Sequence, residues 1–271
     1  MRGAALAILV LGLCGFCAAQ KLHFSPADKA DILQRTKNPP PTDQQRAAQL
    51  KSWFHEAGCG NDSFSEQQVS GSDAPNVICR LRGRSDDIII VGAHYDRAYS
   101  AARPIDNWSG ALLLPSLYQC LRPRRRRHTI IFVAFADRGN ELAGAETYAS
   151  RLTPAELSHV AAMINLDALG LSPTKVWSAH SDKELIQALV TMVYVMKLPA
   201  SQIDIAAAGK TDSEPFLSRN IPQITLHSMT QANLADGATT AFRPGNYYDS
   251  YRLICAYVAY LDETRKSRPH T

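Results

Sequence analysis

Between Ile88 and Gly110 the chain reads IIIVGAHYDRAYSAARPIDNWSG. The apolar run from Ile88 to Val91 ends in Gly-Ala-His-Tyr-Asp, so His94 and Asp96 emerge where a strand gives out. Ten residues after Asp96, Asp106 opens an Asp-Asn-Trp-Ser-Gly segment that reads as the start of a helix. An imidazole and a carboxylate, His94 and Asp106, are good ligands for a first-row metal. Asp96, two residues from His94, is placed to accept the imidazole's other N–H and fix its tautomer. A continuous apolar run suits a strand buried on both faces, and open α/β sheets bind ligands at the carboxyl ends of such strands.

GAHYD followed by DNWSG resembles the GAHxD and DxxSG motifs of metallopeptidase family twenty-eight, the co-catalytic zinc aminopeptidases, a family that also contains the glutaminyl cyclases. The resemblance continues in order from about Asn76 to Leu261. It implies an α/β fold: a single-domain three-layer sandwich with a mainly parallel central sheet covered by helices. It also implies zinc, with Asp106 bridging two ions, one held further by His94 and a glutamate, the other by Asp167 and a histidine. Asp167 fits, because Met163-Ile164-Asn165-Leu166-Asp167 resembles the family's NxDMxG strand.

Two other motifs depart from the pattern. After the strand ending Ile131-Phe132-Val133-Ala134-Phe135, family members present a Glu-Glu pair, general base and zinc ligand. An ungapped match puts that pair on Arg138 and Gly139. Arginine cannot take a proton near neutral pH and glycine has no side chain to offer. Asp137, one position earlier, or Glu141, swung in by a rearranged loop, are the available replacement bases. The family's histidine near the C-terminus, within Tyr-His-Thr-x-x-Asp, has its counterpart in Phe242 to Ser250, which holds no histidine. His227, after the IPQITL strand that resembles the family's GIPA strand, is the remaining candidate ligand. Thr211 to Phe216 resembles the family's SDHxPF segment near the substrate, with Ser213 in the histidine's place.

As aligned, each metal keeps two protein ligands, where a tetrahedral zinc needs three even with water in the fourth position. The expectation is a zinc aminopeptidase-family domain with hydrolysis impaired or lost, binding a peptide or protein N-terminus at the old cleft. The alternative is an active aminopeptidase or cyclase with a rearranged, mono-zinc site built from His94, Asp106, Asp167 and His227. A third reading gives Arg124 to Arg127 the leading part, docking an anionic surface; the plain reading of that run is a solvated connection between a helix and a strand.

The elements that must position these groups alternate. Helices are expected over Asp28 to Ala57 (bent at Pro39-Pro40-Pro41, with Thr42 or Asp43 capping the second half), Gly110 to Cys120, Ala143 to Leu152, Asp182 to Met196 and Leu253 to Arg265. Strands are expected over Asn76 to Arg82, Asp87 to Val91, Thr129 to Phe135, Val160 to Leu166 and Ile221 to Leu226, with Gly58 to Ser72 a loop. That alternation argues independently for a mainly parallel sheet covered on both faces. With 271 residues, 45% of them hydrophobic, the chain suits one large domain, expected over residues 20–271. Residues 1–19 read as a cleaved signal peptide: Arg2, then an apolar stretch, then Cys17-Ala18-Ala19. A lipoprotein signal fits less well, since Leu13 and Phe16 precede the two leader cysteines. The protein is therefore expected to be secreted or periplasmic, with no integral membrane segment in the mature chain.

Cys59, Cys79, Cys120 and Cys255 remain after the leader, an even number that suggests disulfides. Cys59 with Cys79 is the most economical pair; Cys120 and Cys255 could pair or remain buried thiols. The net charge of +4 is too mild to imply nucleic acid, and no aromatic residues interleave with the arginine run.

Overall fold

The computed structural model describes residues 22–97, 108–137, 141–203, 210–230 and 241–266. The leader, Asp106, the Arg138-Gly139 pair and the tail that carries His270 lie outside the described residues. The centre is β3 (Ile88–His94), whose seven residues are all buried. It is flanked by β4 (Thr129–Phe135) and β5 (Val160–Leu166), both parallel to it, with His94 level with Phe135 and Ile90 level with Met163. β8 (Gln223–His227) lies parallel to β5.

Outside these four strands the direction changes. β2 (Asn76–Leu81) runs antiparallel to β4, and β1 (Phe64–Gln67) antiparallel to β2. At the other end β6 (Thr174–Trp177) is antiparallel to β8, and β7 (Ala200–Ile203) parallel to β6. The order is β1-β2-β4-β3-β5-β8-β6-β7. The sheet is mainly parallel, as expected from the alternation, with antiparallel pairings on either side of its parallel centre. Connection length explains the β1-β2 pair: parallel neighbours need a crossover of a dozen residues or more, and residues 68–75, which join these two strands, are fewer than that.

Alternate side chains of β3 serve two cores. Ile89, Val91 and Ala93 pack toward α2 (Asp43–Glu56), α3 (Leu113–Leu121) and α8 (Pro244–Thr264). Ile88 and Ile90 pack with Phe135, Tyr148 and Phe216, beneath α4 (Ala143–Ser150) and α7 (Glu214–Leu217). The remaining helices are α1 (Lys29–Gln34), α5 (Pro154–His159) and α6 (Lys183–Met196). Thr42 caps α2 by accepting from the Gln45 amide, and a capping box opens α5. No helix among the described residues is long and apolar enough to cross a membrane.

Three expectations are corrected. The loop expected over Gly58 to Ser72 contains β1, a short edge strand whose exposed residues gave no apolar signal. The last helix starts at Pro244 rather than Leu253: Pro244-Gly245 reads as a breaker, yet proline is favoured in a helix's first turn, and Tyr247, Tyr251, Ile254 and Val258 continue the buried stripe. The arginine run is not uniformly solvated, since Arg126 is buried. Its guanidinium donates to the carbonyls of Leu121 and His23 and lies 3.8 Å from Asp262 of α8. The same carboxylate accepts from the His128 amide at 2.7 Å.

Cys59 and Cys79 are disulfide-bonded, tying the end of α2 to β2, while Cys120 and Cys255 are buried thiols where α3 meets α8. The bond closes a separation of 20 residues, so the C59S/C79S variant is expected to lose about 2–5 kcal/mol of unfolding free energy, measured as a lower urea midpoint. A methyl on Gly144 would stand 2.1 Å from the Ala136 carbonyl oxygen and 2.6 Å from Asn76 Oδ1, whereas one on Gly245 meets nothing within 4 Å. Gly144→Ala should therefore destabilise by about 1–3 kcal/mol. Gly245→Ala, in the first turn of α8, should stabilise by roughly 0.5–1 kcal/mol; paired urea melts read both.

Candidate functional site

His94 is the last residue of β3 and is 2% exposed. Arg46 of α2 donates to the Tyr95 carbonyl at 2.9 Å, and the Tyr95 hydroxyl donates to the Pro75 carbonyl at 2.6 Å. These contacts fix the turn by which Asp96 comes back beside the imidazole. His94 Nδ1 lies 3.1 Å from Asp96 Oδ1, the pairing that their two-residue spacing suggests. Asp167, just past β5, stands on the other side, with its Oδ1 3.3 Å from His94 Nε2. Its amide donates to the Leu226 carbonyl of β8, so the register of β5 against β8 sets its position.

Burial alone would make His94 harder to protonate. The hydrogen bonds to Asp167 and Asp96, with the charge of Asp212 added, outweigh it and raise the imidazole's pKa to about 10. The unliganded side chain is therefore an imidazolium donating to a carboxylate on each side. His227, the final residue of β8 and fully buried, goes the opposite way. Burial lowers its pKa to about 4, against the pull of Asp167 and with the help of Lys175. Its Nδ1 accepts from the Met229 amide, which puts the proton on Nε2, and that atom has no partner among the described residues.

The small residues of the motifs have a packing reason. A methyl on Gly110 would come within 2.6 Å of the Leu166 carbonyl oxygen, so the turn leading into α3 sits directly on the end of β5. Ser109 accepts from the Leu169 amide through its hydroxyl, and its carbonyl accepts from the Tyr247 hydroxyl. Ser213, where the family has histidine, lies in a buried web of hydroxyls with Thr211 at 2.7 Å and Thr225 at 3.1 Å. The segment resembling the family's last-ligand loop forms the first turns of α8 instead, where Asp249 faces Arg252 at 3.8 Å.

Asp137 is half-buried just past β4, in the left-handed region at φ 53°. Glu141 is exposed, and it and Leu142 are consecutive left-handed residues at φ 51° and 64°, an uncommon pair for side-chain-bearing residues. Asp212 is the group that the sequence left unassigned. It stands on the turn before α7, fully buried, and acts on His94 through its charge. Its only signal was its place inside the Thr211 to Phe216 segment.

Zinc is the metal that the motifs imply. Two ligands of one tetrahedral zinc, each about 2.0–2.2 Å from the ion, stand about as far apart as His94 and Asp167 do. End ligands of two separate ions about 3.5–4 Å apart would stand farther from each other. The contact seen here has the spacing of ligands to one ion, and among the described residues no group of three His, Cys, Asp or Glu is placed to hold a metal.

The fold has many solved counterparts. LapA aminopeptidase of Legionella pneumophila superposes with a TM-score of 0.74 at 16% identity, over 88% of this chain and 73% of that one. A glutaminyl cyclase of an Acidobacteriales bacterium gives 0.68 at 16% identity, over 90% of this chain and 98% of the other. BSAP, a zinc aminopeptidase from Bacillus subtilis, gives 0.61 at 19% identity, over 72% and 52%. At such identities the likeness is one of fold. No curated protein sequence matches the chain. Residues 76–251, the span from β2 into α8 that carries every motif described above, match the model of Peptidase family M28, and the chain belongs to that family.

Proposed function

We propose that this chain is a family M28 domain that has kept the fold, has lost hydrolysis, and binds the free N-terminus of a peptide at the old cleft. The observation that carries this reading is His94 held directly between Asp96 and Asp167, with Asp212 close by. Three carboxylates stand around one imidazole here, and their oxygens are acceptors that a cation can bind. A peptide's α-ammonium is the complementary group. The sequence supports the same reading for hydrolysis. The positions expected to supply a general base and a third ligand are Arg138 and Gly139, and neither residue type can do either task. Export through the leader, residues 1–19, agrees with the Cys59–Cys79 disulfide.

One observation favours a second reading. The 3.3 Å between His94 and Asp167 suits two ligands of a single zinc, with Asp106 and a replacement base completing an active aminopeptidase or cyclase. Zinc there would polarise a carbonyl and acidify bound water.

The test uses the chain without residues 1–19, dialysed against trace zinc. On the first reading, elemental analysis finds a stoichiometry near zero, and leucine 4-nitroanilide is not hydrolysed above the blank. A zinc content near one per chain with turnover, abolished by Asp106→Asn, would overturn it in favour of the second. Binding is measured by calorimetry with a tripeptide and its N-acetylated form. The free amine is expected to bind and the acetylated peptide not to. Asp167→Asn should weaken binding by about tenfold or more, the scale of a lost buried charge partner.

A further inference from the structure

The end of the sheet opposite His94 carries a feature that the cleft does not use. β2 runs out through Arg80 and Leu81 into Arg82-Gly83-Arg84. That exit is zipped to the arginine run: the Arg84 amide donates to the carbonyls of Arg126 and Arg127, and the Ser85 amide to that of Arg127. Gly83 makes the fit possible, since a methyl there would lie 2.3 Å from the His128 carbonyl. Two arginine-bearing segments, far apart in sequence, are therefore held side by side.

Arg80, Arg82 and Arg84, at alternate positions, line one groove of about 470 Å³ together with the hydroxyl-bearing residues Ser63 and Ser65. Arg82, Arg84, Arg124 and Arg125 are exposed, and Arg80 and Arg127 half-buried. Among the described residues, arginine side chains are paired with carboxylates at Arg126, Arg219, Arg252 and Arg265. The six guanidinium groups of this edge have no such partner among the described residues. Asp62 and Asp86 also line the groove, so the surplus is positive but not unopposed.

We infer that this edge is a binding site for a sulfated polysaccharide. Arginine forks suit oxyanions of this geometry, and the polar, open groove suits a hydrated sugar chain rather than a drug-like apolar ligand. A lipid surface fits less well. Interfacial sites add large apolar side chains to basic ones, and the exposed large apolar residues here are Val190, Tyr194, Val195 and Leu217, none of them on this edge. Single-stranded nucleic acid would want aromatic platforms among the arginines. At about 3.3 Å per residue, the seven residues of β3 put the edge some 20 Å from His94, so the site is separate from the cleft.

The probe is a size-defined heparin oligosaccharide, titrated into the leaderless chain at about 0.15 M salt. Binding is expected there, weakening steeply as salt rises, as for any dense linear polyanion. The variant R82S/R84S/R124S/R125S should bind about tenfold or more weakly with a shallower salt dependence, while keeping its thermal midpoint and its tripeptide binding. A control with the same loss of charge elsewhere, K29S/K37S/K183S/K197S, should bind heparin as the parent does. Absence of binding by the parent, or an equal loss in the control, would overturn the inference. So would capture by phosphatidylserine vesicles without capture by heparin.

Discussion

A polar side chain at the end of a strand that has neither an open face nor an open edge must find its partners inside the protein. That constraint on His94 organises the rest. β3 is covered by helices on both sides and paired along both edges, so the imidazole finds its partners in protein groups. Asp96 reaches it from the same turn, which Arg46 and Tyr95 hold in place. Asp167 reaches it only because β5 lies beside β3 and is itself keyed to β8. The site is in effect a readout of the register of three parallel strands.

The same dependence explains which parts of the family pattern persist in this chain. Gly110 lies on the end of β5 and Gly144 on the end of β4, each too close for a side chain. These contacts are demanded by the packing of helix starts onto strand ends, whatever happens in the cleft. The residues whose task is chemical have no such support. Ser213 stands in a histidine's place and is absorbed into a hydroxyl web with Thr211 and Thr225. A segment that would carry a ligand is wound into the first turns of α8. Packing and the choice of site residues are under separate physical constraints here: the close-packed glycines follow the family pattern, while Arg138, Gly139 and Ser213 differ from it.

Much of the architecture was legible in the sequence because it rests on local signals. The runs Thr129–Phe135 and Val160–Leu166 are continuous apolar stretches, and both are strands over the full length expected. Asp182 caps α6 as a cap residue should, and the nearer pair of cysteines is the one that bonds. What escaped lacked such signals. β1 is a four-residue edge strand with no apolar face to advertise. The first turns of α8 hide behind Pro244-Gly245. Arg126 differs from the arginines on either side through its tertiary contacts, the most distant with Asp262, 136 positions farther along. In the site, the His94 and Asp96 pairing follows from spacing, but the approach of Asp167 and Asp212 is a tertiary matter. Families of motifs named these segments without saying which atoms would meet.

The junction of Asp262 with Arg126 and His128 bears on the order in which the molecule can be completed. β4 is a central strand, yet the buried guanidinium and amides at its entry find their carboxylate on the last turns of α8. Until that helix has docked, the Arg126 guanidinium and the amides at the lower end of the sheet lack their carboxylate. The same helix brings Tyr251, Ile254 and Val258 to the core on one face of β3. One element thus completes both the buried charge and the apolar face, so neither can be finished without the other.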